Sequence, residues 1–325
     1  MTHALITGGA GFIGGHLAQQ LLEAGQDVTV IDNLSTGRIE NIKLLEGRAG
    51  FRVAIEDIRN ASVMDRLVSE CDVIYHLAAA VGVHRIINQP IETIETNIGG
   101  TEIVLKTARR YRKRVLIAST SEVYGKGIRI PFAEDDDTVS GPTIRNRWGY
   151  AASKAVDEFL ALAYHKEADL PVVIFRLFNT VGPRQSGQYG MVMPRFVKWA
   201  IHHEPIMVYG DGQQQRCFGN VFDVIRAIQG LAEVPEAIGN VYNIGSTEEV
   251  SIHELAQRVR DRADSASEIQ MIPYEEAYET GFEDFRRRIP DTTKIQKLLN
   301  WQPKFNLDET IDQMLTYYRE EHQNG

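Results

Sequence analysis

The chain has 325 residues, 43% of them hydrophobic and 24% charged, which is typical of a folded globular protein with one large domain or two lobes. Its formal net charge of −9 and the lack of an apolar run of membrane-spanning length disfavour nucleic acid and membranes as partners. The two cysteines, Cys71 and Cys217, lie far apart and outside metal-ligand spacing, which predicts no disulfide and no metal site and fits a cytoplasmic location.

The first functional pattern is a glycine-rich turn between a strand and a helix. The apolar run 4–6 precedes Gly8, Gly11 and Gly14, and a helical pattern covers residues 12–22. This order is typical of a dinucleotide-binding turn, in which backbone N–H groups at a helix start face a pyrophosphate. The spacing is a variant of the usual fingerprint. A glycine-rich hairpin is the alternative, and the agreement of strand, turn and helix signals disfavours it.

The second part of this pattern is an acidic residue at the end of the next strand. The apolar run 28–31 ends in Asp32, about 20 residues past the glycines. A carboxylate at this point accepts hydrogen bonds from the adenosine ribose and repels a 2′-phosphate, so we expect NAD rather than NADP. A capping role within the turn 32–35 is an alternative that can coexist with cofactor binding.

Short apolar runs and longer helical patterns then alternate along the chain. Further strands are predicted at 51–55, 73–76, 115–118 and 172–175, and helices at 61–69, 92–110 and 150–168. This alternation predicts an α/β fold, a Rossmann-type doubly wound parallel sheet with helices on both faces.

The residue composition changes at about residue 180, where glycine, proline and arginine occur together. Helical patterns at 191–203, 251–263 and 308–322 surround irregular segments and one strand candidate at 241–244. We expect an NAD-binding Rossmann domain at 1–179 and a smaller C-terminal lobe at 180–325 that mainly binds substrate. Segment 221–246 is expected to return to the Rossmann domain.

Ligands of such sheets bind beyond the carboxyl ends of the strands. The candidate cofactor residues there are Gly8, Gly11, Phe12, Ile13, Gly14, Asp32, Asn33, Asp57, Ile58, Leu77, Ala78 and Ala79. Asp57 could accept a hydrogen bond from the adenine amino group, and the small residues at 78–80 leave room for the cofactor. His76 is interpreted as a core histidine.

A tyrosine and a lysine four residues apart begin the helix predicted at 150–168. Tyr150 and Lys154 share one face of that helix. A phenol with a pKa of about 10 is a poor base, and the Lys154 ammonium and the positive nicotinamide ring would favour the phenolate. Tyr150 could then accept a proton from a sugar hydroxyl, and Lys154 could bond the nicotinamide ribose. A chance surface pair is the alternative.

With these motifs in place, the sequence resembles the extended short-chain dehydrogenase/reductase family of nucleotide-sugar epimerases, dehydratases and decarboxylases. The resemblance covers nearly the whole chain. It rests on residues 7–14, 76–79, Tyr150 with Lys154, Asn179 with 182–184, and 209–212. It implies a retained NAD that is regenerated in each turnover and a UDP-sugar substrate. It also implies a homodimer in which helices 92–110 and 150–168 pair with their mates as a four-helix bundle.

Two positions resemble the UDP-glucuronate decarboxylases within this family. Glu122 stands where simple 4-epimerases have a small residue, and Arg216 is followed by Cys217 where epimerases and dehydratases more often have Asp. Residues 147–150 and 281–291 are also similar to that group. The loop 81–85 lacks the Pro and Tyr of those decarboxylases, and GDP-mannose dehydratases also carry a Ser-Glu pair. A UDP-sugar 4-epimerase and a 4,6-dehydratase therefore remain alternatives.

The resemblance implies conversion of UDP-glucuronate to UDP-xylose by C4 oxidation, decarboxylation and re-reduction. The candidate catalytic residues are Thr120, Ser121, Glu122, Tyr150, Lys154 and Arg216. The candidate substrate-binding residues are Val83, Arg85, Asn179, Arg184, Arg195, Tyr209, Arg216 and Arg288. Hydroxyls of the catalytic set would stabilise a C4 oxyanion, while Glu122 and Arg216 would orient the carboxylate or a water. A pyrophosphate clamp is the alternative role of Arg216, and a structural carboxylate that of Glu122.

Overall fold

The computed structural model of the chain describes residues 2–188, 191–273, 276 and 286–324. Its strands are β1 (His3–Thr7), β2 (Asp27–Asp32), β3 (Phe51–Ile55), β4 (Val73–His76), β5 (Arg114–Thr120), β6 (Val172–Leu177), β7 (Thr180–Val181), β8 (Ile206–Tyr209), β9 (Gln215–Cys217), β10 (Gly219–Asn220), β11 (Asn240–Ile244), β12 (Glu249–Ser251), β13 (Ile269–Ile272) and β14 (Arg287–Arg288).

The helices alternate with the strands through the first half of the chain. They are α1 (Phe12–Glu23), α2 (Glu40–Lys43), α3 (Ala61–Glu70), α4 (Val83–Asn88), α5 (Pro90–Tyr111), α6 (Arg147–Ala168), α7 (Val192–Ile201), α8 (Val221–Glu233), α9 (Ile252–Arg262), α10 (Thr293–Leu299) and α11 (Leu307–Asn324). Two short 3₁₀ helices cover Ser121–Tyr124 and Pro235–Ala237.

Seven strands form one parallel sheet in the order β11-β6-β5-β4-β1-β2-β3. β1 pairs with β2 on one side and with β4 on the other, so the direction in which the chain adds strands reverses there. Ligands of open α/β sheets bind at such a reversal, outside the carboxyl ends of the strands. The predicted α/β fold with a Rossmann-type parallel sheet is confirmed.

Apolar clusters cover both faces of this sheet. One cluster joins the sheet to α1, α8 and α10, and another joins it to α3, α5 and α6. The inner strands are therefore buried on both sides, which explains why they read as continuous apolar runs, whereas the edge strand β3 is largely exposed. A third cluster lies among α7, α9, α11 and the short strands of the second half.

The long predicted helices are present, with ends that differ from the predicted ones by at most three residues. The sequence reasoning missed α2, α4, α8 and α10. The helix α8 had a readable start, because the side chain of Asn220 caps it by accepting a hydrogen bond from the Phe222 N–H at 2.9 Å. In segment 221–246, β11 pairs with β6 in the central sheet. The division into two lobes at residue 180 stays a prediction.

Three small sheets lie outside the central one. β7 pairs with β10, β8 pairs with β13, and β9 pairs with both β12 and β14. The parallel pairing of β9 with β14 makes Arg216 and Arg288 register partners.

Within the described ranges, none of the helices combines the length and the apolar composition needed to cross a membrane. The cytoplasmic location stays a prediction.

Candidate active site

A cleft of about 440 Å³ opens at the carboxyl ends of the central strands. The predicted site residues that line it are Gly8, Gly11, Phe12, Ile13, Gly14, Asp32, Asn33, Ile58, Leu77, Ala78, Ala79, Thr120, Ser121, Glu122, Tyr150, Lys154, Asn179, Arg184 and Arg288. The lining described by the structure does not include Asp57, Arg85, Arg195, Tyr209 or Arg216. The side chain of Val83 and the similarity noted at residues 281–285 lie outside what the structure describes.

The glycine turn is packed so tightly that side chains cannot replace its hydrogens. Gly8 has a φ of +70°, and a Cβ added there would lie 2.8 Å from the backbone of Ala78 at the end of β4. A Cβ on Gly14 would lie 2.3 Å from the carbonyl oxygen of Gly8. The turn is thus closed against β4, and α1 begins at Gly11 without a side-chain cap. The N–H groups of its first turn remain available for an anion.

A buried arginine adds a cation to this end of the cleft. Arg184 donates from Nη2 to Gln19 Oε1 at 2.6 Å, while its Nη1 is buried without a hydrogen-bond partner among the described residues. Burial lowers the pKa of Arg184. A buried N–H group without a partner costs free energy, so this side chain suits an anionic ligand. The glycine turn and Arg184 together fit the diphosphate of a dinucleotide.

Asp32 performs the turn-capping role that was the alternative interpretation, and it also lines the cleft. Its Oδ1 accepts a hydrogen bond from the Leu34 N–H at 2.8 Å, and its Oδ2 accepts one from the Ala10 N–H at 3.0 Å. Burial raises the pKa of this carboxyl, and these backbone hydrogen bonds oppose the rise. Each carboxylate oxygen keeps a second lone pair, so the group can still accept from a ribose hydroxyl.

Asp57 is engaged differently from the prediction. Arg59 donates to both of its oxygens, from Nε at 2.9 Å and from Nη2 at 2.8 Å, and Asn33 donates a further hydrogen bond at 3.0 Å. The hydrogen bond from Arg59 is the largest of the effects that lower the pKa of Asp57, to about 2. The neighbours Glu56 and Ile58, rather than Asp57 itself, line the cleft.

Tyr150 and Lys154 both line the cleft, as their helix spacing predicts, but Lys154 forms its hydrogen bond with another residue. Its ammonium donates to Asp157 Oδ2 at 2.7 Å, and both side chains are almost fully buried. Burial raises the pKa of Tyr150, the Glu122 charge raises it further, and a hydrogen bond with the Thr120 hydroxyl opposes the rise. The ion pair arises because a carboxylate three residues along the helix is as accessible to Lys154 as the phenol four residues back.

Glu122 lies between two guanidinium groups. Arg288 Nη1 donates to Glu122 Oε1, and Arg147 Nη2 lies 3.5 Å from Glu122 Oε2. Arg288 also donates to the Asn179 side chain, which itself donates to the Cys217 carbonyl at 2.8 Å.

Arg216 was predicted to act with Glu122 on the sugar carboxylate or a water, and that role stays a prediction. Arg216 is the register partner of Arg288 on the neighbouring strand, and it lies outside the described lining of the cleft. Sequence reasoning also assigned no role to Arg147, although it precedes Tyr150 by three residues. That helical spacing was the signal that could have found it.

The other predicted substrate residues pair with one another or with nearby acids. Arg195 donates to the Tyr209 hydroxyl, and its guanidinium lies 4.7 Å from the centre of the Trp199 ring. Arg85 donates to Glu92 Oε1 at 2.8 Å. Gly82, which is close to Arg85 in sequence, and Met191, which is close to Arg195, do line the cleft.

A protein-family model described as GDP-mannose 4,6-dehydratase matches residues 5–314. The chain belongs to this family. The GDP-mannose 4,6-dehydratase family match confirms the predicted resemblance to extended short-chain dehydrogenases/reductases.

Similar members of the group include two curated decarboxylases. A UDP-N-acetyl-α-D-glucosaminuronate decarboxylase of Bacillus cytotoxicus is 42% identical over 97% of both chains. UDP-glucuronic acid decarboxylase 4 of Arabidopsis thaliana is 36% identical over 97% of this chain and 68% of its own length. Among solved structures, UDP-glucuronic acid 4-epimerase of Bacillus cereus in complex with UDP-glucuronic acid and NAD is 28% identical, with a TM-score of 0.89 over 98% of this chain and 100% of its own. The predicted class, an NAD-dependent enzyme that modifies nucleotide sugars, is confirmed at that level.

We expect NAD to bind more tightly than NADP, and Asp32→Asn to reduce this preference by about tenfold, or ~1.4 kcal/mol. The asparagine oxygen can still accept a backbone hydrogen bond of the turn, so the substitution chiefly removes the charge that repels a 2′-phosphate. Titration of both cofactors by protein fluorescence measures the ratio of the two dissociation constants. Asp57→Asn is the matched control, since that carboxylate is engaged by Arg59. Wild-type protein that binds NADP as tightly as NAD would contradict the assignment.

Proposed function

We propose that this chain is an NAD-dependent decarboxylase of a UDP-hexuronate, with conversion of UDP-glucuronate to UDP-xylose as the predicted reaction. The observation that carries the proposal is the Glu122 carboxylate, held between Arg288 and Arg147 at the edge of the cleft that contains Tyr150. Both guanidiniums line the cleft together with Glu122. A sugar carboxylate is the complementary group, and arginine is the side chain best suited to bind it.

The charge is local and contrasts with the rest of the molecule, whose formal net charge is −9. The side chains of Arg288, Arg147 and Glu122 are only 14%, 15% and 21% exposed. Solvent and salt therefore screen these charges less than they screen surface charges. A neutral hexose has no carboxylate for these guanidiniums to bind, which favours a uronate over an uncharged sugar.

Oxidation at C4 turns a uronate into a β-keto acid, and such acids lose CO₂ readily. NAD bound in this cleft would supply the oxidation at C4 and the later re-reduction. Tyr150 would accept the proton of the C4 hydroxyl, with its oxygen already bonded to the Thr120 hydroxyl. As the C5–carboxyl bond breaks, its electron pair forms an enolate. Donors from Tyr150, Thr120 and Ser121 would stabilise the oxygen of that enolate. Glu122, a carboxylate held by two guanidiniums, would orient a water that protonates C5, and the proton that takes the place of CO₂ comes from solvent.

The curated relatives support decarboxylation but differ in their substrates, since one name specifies a glucosaminuronate with an N-acetyl group and the other a glucuronate. The relative with the N-acetyl sugar is the more similar of the two. The loop 81–85 also departs from the Pro and Tyr that UDP-glucuronate decarboxylases carry. These two observations make UDP-N-acetylglucosaminuronate the second candidate substrate of the same reaction.

Product analysis by mass spectrometry tests the proposal. With NAD and UDP-glucuronate or UDP-N-acetylglucosaminuronate, we expect CO₂ release and a UDP-pentose or its acetamido form, without net NADH. A product that keeps the carboxylate and differs only at C4 would instead identify a 4-epimerase. Conversion of neutral sugars alone, with loss of water, would identify a dehydratase.

Two variants should separate oxidation from decarboxylation. Tyr150→Phe removes the proton acceptor, so we expect turnover to fall by about 10² to 10⁴ and no bound NADH to form. Glu122→Gln keeps the shape of the side chain but removes its charge. We expect it to oxidise the substrate and then stall, so that bound NADH and a 4-keto sugar accumulate in a single turnover. Stopped-flow measurement of nicotinamide absorbance distinguishes the two. A Glu122→Gln variant as active as wild type would remove Glu122 from the reaction.

We also propose that the chain forms a homodimer through α5 and α6. These two helices pack side by side, and four apolar side chains on them are exposed, with Phe159 at 71%, Ile91 at 73%, Val156 at 42% and Ile94 at 39%. Apolar side chains grouped on neighbouring helices commonly mark a protein interface.

Phe159→Glu should convert a wild-type dimer to a monomer, because a buried carboxylate at the centre of the interface would be desolvated without a partner. Light scattering coupled to size-exclusion chromatography measures the mass, and circular dichroism confirms folding. Ile128→Glu is the matched control, since Ile128 is 86% exposed and lies outside both helices. A monomeric wild-type protein would contradict this proposal.

A further inference from the structure

The ion pair beneath the cleft is the feature of this molecule that the proposed chemistry leaves unexplained. Lys154 and Asp157 lie 2.7 Å apart on α6, and their side chains are 3% and 0% exposed. The second carboxylate oxygen, Oδ1, is buried without a hydrogen bond of ordinary geometry among the described residues. A buried ion pair costs substantial desolvation energy, and an unpaired oxygen adds to that cost. An arrangement that contributes little to stability calls for a functional reason.

A chain of buried polar groups connects this ion pair to the cofactor turn. The Ala78 N–H donates to Thr7 Oγ1 at 3.2 Å, and Thr7 Oγ1 lies 2.8 Å from His76 Nδ1. His76 Nε2 lies 3.0 Å from Thr101 Oγ1. Burial raises the pKa of Asp157, and the Lys154 ammonium and the Thr101 hydroxyl oppose the rise.

The polarity of this chain follows from the protonation state of its histidine. Burial and the Lys154 charge lower the pKa of His76 to about 3, so the imidazole is neutral. The tautomer with its proton on Nε2 gives the chain one direction. The Thr7 hydroxyl then donates to Nδ1, Nε2–H donates to Thr101, and the Thr101 hydroxyl keeps its own proton for Asp157. In this tautomer Thr101 is a donor toward a carboxylate whose Oδ1 forms no hydrogen bond of ordinary geometry among the described residues.

We propose that Asp157 is a positioning residue that holds the Lys154 ammonium below the cleft and so sets the pH at which Tyr150 begins to accept a proton. The carboxylate acts in two ways with the same sign. It neutralises the Lys154 cation one turn along the helix from Tyr150, and its own negative charge opposes formation of the phenolate. This inference rests on the proposed role of Tyr150 as proton acceptor.

Other charged groups surround the pair and must be kept constant in any test. The described charged or titratable groups around Tyr150, Lys154 and Asp157 are Glu122 from the 3₁₀ helix after β5, Arg288 from β14, His76 from β4, and Arg147 and Glu158 from α6 itself. Glu158 is bound by Arg176 of β6 at 2.7 Å. On α5, Asn97 and Thr101 face α6 as neutral groups, and Arg85 of α4 pairs with Glu92 of α5.

The test is the pH profile of the C4 oxidation step, measured as single-turnover formation of bound NADH in wild type and in Asp157→Asn. Activity is lost as pH falls below the apparent pKa of the proton acceptor. Removing the Asp157 charge should favour the phenolate, so the acidic limb should move to lower pH by about one unit. The substrate is whichever UDP-sugar the product screen identifies. A different substrate would therefore overturn the proposed reaction without affecting this comparison.

Glu167→Gln is the matched control, because it removes a negative charge from the exposed end of the same helix. This variant should leave the acidic limb of the pH profile at the wild-type pH. NAD titration verifies that the cleft of each variant still binds cofactor. If Asp157→Asn does not fold, Asp157→Ser leaves room for a water beside Lys154 and carries the same expectation. An acidic limb that stays in place or moves to higher pH in a folded, NAD-binding variant would overturn the proposal, as would an equal shift in Glu167→Gln.

Discussion

The ion pair between Glu122 and Arg288 joins parts of the chain that are 166 residues apart, and the cleft depends on it. Glu122 follows the carboxyl end of β5 in the central sheet, whereas Arg288 belongs to a two-residue strand held by β9. Asn179 reinforces the link, because it accepts from Arg288 and donates to the carbonyl of Cys217 on β9. Removing the Arg288 charge would leave the partly buried Glu122 carboxylate with the more distant Arg147, at 3.5 Å, and the loss of a close partner by a buried charge is usually more costly than the attraction itself.

The parts of the site that were predicted correctly are the ones that local rules determine. The positive φ of Gly8 and the contact that a Cβ on Gly14 would make with the Gly8 carbonyl follow from a strand–turn–helix pattern readable over a dozen residues. Tyr150 and Lys154 share a helix face because of their spacing alone. The strands were readable because both faces of a parallel sheet are buried, which produces continuous apolar runs. The burial pattern and pairing of β1 and β2 agree with that expectation.

The contacts that sequence reasoning missed are ones that only tertiary structure determines. Arg216 and Arg288 are adjacent register partners, so sequence could place an arginine near Glu122 but could not decide which strand supplied it. Asp57 was given a ligand because it follows a strand, yet Arg59, two residues later, turns back and binds it. The partner of Lys154 was available from helical spacing. The spacing alone did not indicate that Asp157 is buried. This burial favours the ion pair of Lys154 with Asp157 over an interaction of Lys154 with the Tyr150 phenol.

The distribution of charge in the cleft separates two kinds of chemistry. Near Tyr150, Lys154 is balanced by Asp157, and the buried Arg176 by Glu158, whereas Arg184 beside the glycine turn hydrogen-bonds to the neutral Gln19 and suits the diphosphate of a dinucleotide. Arg147 and Arg288 line the same cleft and face Glu122. A proton acceptor must be able to change its protonation state during the reaction. A substrate carboxylate instead needs a group that stays positively charged and binds it throughout. Placing both requirements in one cleft works because each surplus charge near Tyr150 has been cancelled by a neighbour on the same helix or an adjacent strand.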